Sequence, residues 1–367
     1  MKTQFKKKIN LIRPSVTLGE FLPFLEDIFD SGIFSSGKYN TLFAKELAKI
    51  TASKFCHPCS SATTALWSCL KFLDIKEGDE VLVSDLSFPA TANVVEDLGA
   101  TPVFVDVNLD TFNMSLSELA AKINTKSKAV IFVDALGNPT GLKEIYQFCK
   151  SNKIPLIEDA ACALGSYDND LDFGPTADMS CFSFHPRKII CAGEGGAITT
   201  DNEELNNFLE IKLKHGARKT VSGEVIFEDF GYNFRISEIQ AALAFVQIKK
   251  LQNIVAKRKD IWRQYCDFLL PLGFQAQKVG ENVTYNVQSS CFVVPSNLNR
   301  DEFAKKLSND GIDTSIGTYS MSASHYFKQK YCSIQPKAEF LMKNTISFPC
   351  YDGLDIDVVK KHILTAL

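Results

Sequence analysis

Short β-branched runs alternate with helical stretches over the first two-thirds of the chain. The runs are Val81-Leu82-Val83, Val103-Phe104-Val105, Ala129 to Val133, Pro155-Leu156-Ile157, Cys181-Phe182-Ser183-Phe184 and Ala197-Ile198-Thr199. Several are apolar without alternation, as expected for strands that helices cover on both faces. Between them, Thr63–Phe72, Ala90–Leu98, Leu116–Ile123 and Leu142–Ser151 carry helical spacing. Ser115, with Glu118 three residues on, reads as an N-cap. Repeated strand–helix–strand units predict an α/β fold on an open, mostly parallel sheet.

Ser237 and Glu238 open the longest helical pattern. Ile239, Ala242, Leu243, Val246, Leu251 and Ile254 form its apolar stripe, and Lys249, Lys250, Lys257 and Arg258 its wet face. The texture then changes to a strand-like Val283–Pro295, a capped helix over Asp301–Asn309 and a final helix Ile356–Leu367. This divides the chain into a large α/β domain, 1–255, and a small C-terminal α+β domain, 256–367.

Composition narrows the function classes. The 367 residues are 45% hydrophobic and 23% charged, which is ordinary globular usage. A formal charge of −3 gives no basic excess for nucleic acid or an anionic membrane. No apolar run reaches the ~18 residues a membrane span needs. The basic N-terminus lacks the apolar core of a signal peptide, and eleven cysteines, an odd number, fit reduced thiols, so a cytoplasmic protein is expected. Cys56-His57-Pro58-Cys59 is a lone C-x-x-C without a second ligand pair, and reads as small residues packing at a strand end.

In such sheets ligands sit at the carboxyl ends of the strands. Those ends hold Glu158-Asp159, the run Ser183-Phe184-His185-Pro186-Arg187-Lys188, and a small-residue turn, Cys59 to Thr64, that opens a helix. A helix N-terminus with free N–H groups suits a phosphate. There is no dinucleotide G-x-G-x-x-G after a strand, no G-x-x-x-x-G-K-[ST], no H-E-x-x-H and no G-x-S-x-G. A carboxylate, a lysine and an anion site remain, a trio that suits pyridoxal phosphate. The lysine forms a Schiff base with the aldehyde, the carboxylate keeps the ring nitrogen protonated, and the turn holds the phosphate.

Six segments resemble the DegT/DnrJ/EryC1/StrS aminotransferases, the sugar-aminotransferase branch of fold-type I pyridoxal-phosphate enzymes. They are Ser61 to Leu66, Ser87-Phe88-Pro89-Ala90-Thr91, Glu158-Asp159-Ala160-Ala161, Ser183 to Lys188, Gly193-Glu194-Gly195-Gly196-Ala197 and Gly231-Tyr232-Asn233-Phe234-Arg235. The resemblance implies a seven-stranded type of sheet flanked by helices. It implies that Lys188 bonds the cofactor, that Asp159 pairs with its ring nitrogen and that Phe88 stacks on its face. Ser61, Ala62, Thr63 and Ser183 would bind the phosphate, and Asn233 would reach the phosphate in a neighbouring subunit, making a homodimer with shared active sites. Cys162, where relatives often carry Gln or His, would face the cofactor. Asn138, in Gly137-Asn138-Pro139-Thr140-Gly141, would bond the ring hydroxyl, and Asp134 stands where many relatives have His.

The implied reaction is a ping-pong transfer of an amino group from L-glutamate to the ketone of a nucleotide-linked keto-deoxysugar, for a surface glycan or related product. Arg218, Lys219 and Lys214 are candidates for a diphosphate, and His325, Tyr319 and Tyr326 for the substrate pocket. The departures near the cofactor leave room for a small phosphorylated ketone such as a triose phosphate. Two rivals on the same fold are a pyridoxal-phosphate lyase or dehydratase and a non-catalytic regulator. Related dehydratases replace the lysine by His, so Lys188 favours transamination.

Overall fold

The computed structural model describes residues 8–168, 177–220 and 222–367. A seven-stranded sheet runs in the order Phe55–Cys59, Gly196–Thr200, Met179–Ser183, Leu156–Asp159, Ser127–Val133, Glu80–Ser84, Thr101–Val105. From Met179–Ser183 to Thr101–Val105 the pairings are parallel, and Gly196–Thr200 is antiparallel to both its neighbours. The apolar runs are continuous because both faces are buried. Val81, Val83, Ile131, Ile157 and Ile198 face one core with the helices Ala62–Phe72, Ala90–Asp97 and Glu203–Lys212. Leu82, Val130, Phe132 and Leu156 face the other, under Leu116–Lys122 and Leu142–Ser151.

The C-x-x-C segment, expected at a strand end, is itself the edge strand Phe55–Cys59. Burial pushes both of its thiols up, Cys59 to about 12, so neither is a ready nucleophile. Among the described residues no group of His, Cys, Asp and Glu is arranged to hold a metal ion, and no helix is long and apolar enough to cross a membrane.

Two helices ahead of the sheet, Leu18–Ser31 and Lys38–Ile50, pack with Glu238–Ile248 over Phe182 and Ala197. Gly37 starts Lys38–Ile50 and has no side chain to cap it. The buried carboxylate of Glu238 does so instead, accepting the N–H groups of Gly37, Tyr39 and Asn40 at 2.8, 2.7 and 3.1 Å.

The long helical pattern after Ser237 is two helices, Glu238–Ile248 and Leu251–Leu269. The second carries Ile254 and Val255 to the core beside the sheet, and Ile261, Tyr265 and Leu269 to a separate core. The helix is interrupted at Lys249-Lys250, where Lys250 leaves the helical conformation. The separate core lies on the antiparallel sheet Gln275–Ala276, Ser290–Val293, Thr345–Phe348, covered by Arg300–Asn309 and Ile356–Ala366. The single strand expected over Val283–Pro295 is two, Val283–Thr284 and Ser290–Val293, with a buried irregular stretch between them.

Buried carboxylates tie this part to the large sheet. Asp85 accepts the Ser320 hydroxyl at 2.6 Å and the Ser322 N–H at 2.7 Å, and Asp106 accepts the Ala338 N–H at 2.9 Å. That seam brings Tyr319 opposite Ser87 and edge-on to Phe88, with ring centroids 6.3 Å apart.

Candidate active site

Lys188 is the last residue of a turn that begins at His185, with Pro186 in the position whose fixed φ favours such turns. Its own N–H closes the turn on the His185 carbonyl at 2.8 Å. The turn hangs between the strands Met179–Ser183 and Gly196–Thr200 and is held by Phe184, which bonds Gly195 and Ala192, each at 2.8 Å. From there the Lys188 Nζ lies 3.1 Å from the Cys162 Sγ, in the turn that follows Leu156–Asp159.

Asp159 ends that strand and is 6% exposed. Its Oδ2 accepts the Thr91 hydroxyl at 2.7 Å and its Oδ1 the Ala161 N–H at 3.2 Å. Thr91 is set in turn by Ser87, hydroxyl to hydroxyl at 2.7 Å. Burial holds the Asp159 carboxyl above its usual range, against the pull of the Thr91 hydroxyl, the Lys188 charge and the Ala161 N–H. A cation at this carboxylate would offset the cost of its burial.

The anion end forms where three strands meet. Cys59 pairs with Gly196, and Gly196 with Ser183. A Cβ on Gly196 would lie 2.3 Å from the Ser61 carbonyl carbon, so only glycine lets the helix Ala62–Phe72 start against this strand. Ser61 caps that helix by accepting the Thr64 N–H at 3.1 Å. The amides of Ala62 and Thr63 precede the first helical carbonyls and point out of the helix end, as anion sites require.

Residues 18–367 match the model of the DegT/DnrJ/EryC1/StrS aminotransferase family. The chain belongs to that family. GDP-perosamine synthase of Escherichia coli O157:H7 is 30% identical over 358 residues, covering 96% of each chain. Among solved structures, Helicobacter pylori PseC, an aminotransferase involved in pseudoaminic acid biosynthesis, is 25% identical with a TM-score of 0.88 over 98% of this chain and 99% of that one. A DegT/DnrJ/EryC1/StrS aminotransferase from Brucella abortus is 26% identical, with a TM-score of 0.86 over 95% of each.

This aminotransferase depends on pyridoxal phosphate, and its fold is that of the fold-type I enzymes. The residues present fit the cofactor: an amine, a buried carboxylate and a helix N-terminus lie at the carboxyl ends of the sheet's strands. Phe88, 64% exposed, follows Leu86–Ser87 beyond the end of Glu80–Ser84.

The other expected residues fall into three places. Asn138 is fully buried; its Oδ1 accepts the Thr140 N–H and hydroxyl at 3.2 and 2.6 Å, and its Nδ2 donates to the Lys278 carbonyl at 2.9 Å. These bonds shape its own loop and engage Oδ1 twice, while one Nδ2 hydrogen is left to donate. Asn233 is exposed, on a segment stapled to the helix opening by the Ser60 N–H to Phe234 carbonyl bond of 2.8 Å. Arg218 and Lys219 sit on the ribbon Ala217–Lys219/Val225–Phe227, where Arg218 faces Glu228 at 3.2 Å and Lys219 is exposed. His325 starts the exposed helix His325–Tyr331. Thr91, which orients Asp159, was visible in the sequence only as part of the Ser87–Thr91 segment, with no sign of its partner.

Asp134 follows the strand Ser127–Val133, and both of its carboxyl oxygens are buried with no protein donor among the described residues. Burial and the neighbouring Glu158 push this carboxyl far above its usual range, while Glu158 accepts the Ser180 hydroxyl. The folded protein therefore holds a proton on this carboxyl more tightly than the unfolded chain does. This group's contribution to stability is fully present below the ordinary carboxylate range and is lost as pH rises above it. It falls by up to ~1.4 kcal/mol per pH unit above the ordinary carboxylate range, until the folded carboxyl itself ionises. Asp134→Asn, which keeps a donor for Glu158, is expected to raise stability by about 1–3 kcal/mol at about pH 8 and by little at about pH 5. Urea unfolding at both pH values checks this; equal stabilities at the higher pH would show that burial does not raise the Asp134 carboxyl.

Proposed function

We propose that this aminotransferase moves an amino group from L-glutamate to the ketone of a nucleotide-linked keto-deoxysugar, in the cytoplasm and as a homodimer. The observation that carries the chemistry is the 3.1 Å approach of the Lys188 amine to Cys162, beside the buried Asp159. The sugar class is supported by the likeness, over 96% of both chains, to GDP-perosamine synthase.

Bound pyridoxal phosphate supplies an aldehyde that takes up the amino group and a ring that accepts electrons as the donor's Cα–H bond breaks. The helix opening at Ser61, Ala62 and Thr63, with the Ser183 hydroxyl, would hold its phosphate, and Phe88 its ring face. Asp159 stabilises a protonated ring nitrogen, because a cation there is the counter-charge its burial lacks. Thr91 fixes the carboxylate's plane. The Lys188 Nζ takes the proton from the donor's Cα and gives it up on the other side of the transfer, as general base and then acid. Cys162 offers that amine a soft, weakly bonding neighbour where Gln or His would hold it by a strong hydrogen bond.

Exposed Lys214 and Lys219 suit the diphosphate of a nucleotide sugar, and Arg218 is half answered by Glu228. Pairing of two chains is supported by the exposed aromatic surface of Phe29, Phe34, Phe227 and Phe230, and by the exposure of Asn233. The test is spectroscopic. L-glutamate should shift the visible absorbance of the loaded enzyme, and a panel of keto-sugars and small keto-phosphates should then restore it. Recovery with nucleotide-linked keto-sugars alone is expected. Recovery only with a triose phosphate would move the substrate class, and no response to L-glutamate would remove the donor.

A further inference from the structure

The stretch Tyr285–Gln288 lies between the strands Val283–Thr284 and Ser290–Val293, has no regular structure and is buried throughout. Backbone and amide groups taken out of water need partners, and here the partners are the loops of the active site. Gln288, 4% exposed, donates from Nε2 to the Arg187 carbonyl at 2.5 Å and accepts the Ile189 N–H on Oε1 at 3.0 Å. One side-chain amide thus bonds the peptide groups immediately before and after Lys188.

Two residues earlier, Asn286 does the same for the facing turn. Its Nδ2 donates to the carbonyls of Cys162 and Leu164 at 2.8 and 2.9 Å, and its Oδ1 accepts the Gln288 N–H at 2.8 Å. Both ends of the Lys188–Cys162 contact are therefore held by one short stretch of chain. Between the two amides Val287 has a φ of +55°, which a β-branched residue adopts only when its surroundings impose it. The surroundings do: buried Arg258 donates to the carbonyls of Val287 and Gln288, each at 2.8 Å, and to that of Cys350. Gly137 completes the fit, since a Cβ there would lie 2.3 Å from the Asn286 Oδ1.

We propose that Gln288 is a positioning residue for Lys188, fixing the peptide groups on either side of its Cα and so the path along which Nζ is delivered. The inference rests on Lys188 being the reacting amine. Without the clamp the His185–Lys188 turn keeps its internal bond, but the direction of the lysine side chain is free to vary. A displacement of ~1 Å at a reacting atom is enough for roughly 100-fold in rate.

Two variants test this. Gln288→Ala removes both bonds. Gln288→Glu reproduces both only when protonated, its carbonyl accepting from Ile189 and its hydroxyl donating to Arg187; ionised, it turns an acceptor on the Arg187 carbonyl. The Ala variant is expected to lose ~10–100-fold in kcat, with the donor's KM within about threefold of wild type. The Glu variant should lose as much at about pH 9 and recover toward wild type at about pH 6, a profile that a packing role alone does not give. In protein free of cofactor, hydrogen exchange at the Ile189 amide should quicken about tenfold or more in the Ala variant, while the Phe184 amide keeps its rate. Wild-type kcat in both variants, a Glu variant whose deficit ignores pH, or an unchanged Ile189 rate would overturn the proposal. If the Ala variant does not fold, the Glu variant and its profile decide. A wild-type chain that fails to react with any amino donor would instead remove the proposed function, and the Ile189 exchange would still judge the clamp.

Discussion

Lys188→Ala is expected to lower turnover by roughly 10⁴-fold or more while leaving the fold intact, because one side chain supplies both the covalent anchor and the proton carrier. The structure explains why the fold should tolerate the loss. The side chain is only half-buried, and its amine meets a thiol, Cys162. Deleting it orphans no strong hydrogen-bonding group but removes the cation beside the buried Asp159 carboxyl, so the melting temperature should fall by only about 2–5 °C. Steady-state assays beside thermal unfolding check both halves. Substantial residual turnover would mean that another amine does the work, and a collapsed melting temperature would mean that Lys188 is structural.

Asp159→Asn should pull stability and activity in opposite directions. In the unloaded protein the carboxylate is buried beside two hydrogen-bond donors and one partly exposed lysine, which is less than an ionised group needs. Its raised carboxyl means that the folded state holds a proton more tightly than the unfolded chain does. The wild type's unloaded stability therefore declines as pH rises above the ordinary carboxylate range. An amide removes that decline and is expected to add about 1–2 kcal/mol at neutral pH. The same substitution takes away the charge that keeps a ring nitrogen protonated, and activity should fall by roughly 10²–10³-fold. Denaturant titration without cofactor and single-turnover rates with it make the comparison. A variant both less stable and fully active would contradict the assigned role.

The large sheet was legible because its strands are covered on both faces: runs such as Val81-Leu82-Val83 carry no polar phase and signal burial directly. The helix Leu142–Ser151 has the limits that its spacing predicts. The break at Lys249-Lys250 was not legible, because no glycine or proline marks it. The split of Val283–Pro295 was hidden likewise, since Tyr285 to Gln288 are ordered by Arg258 and by loops more than a hundred residues away in sequence. In the site, Lys188, Asp159 and the Ser61 opening were visible as chemistry at strand ends, where residue type alone is informative. The bonds of Asn138 to Thr140 and Lys278 were not legible, because its motif says nothing about either partner. Gln288 left no trace at all: its role lies entirely in which backbone groups it meets.

The helix Leu251–Leu269 inserts one end into the packing beside the large sheet and the other into the packing around Phe348. Neither region can melt without stripping apolar surface from a rod that both share. The polypeptide should accordingly denature in a single step, and limited proteolysis should find no durable fragment, because any cut that freed the last hundred residues would take the shared rod from one half or the other.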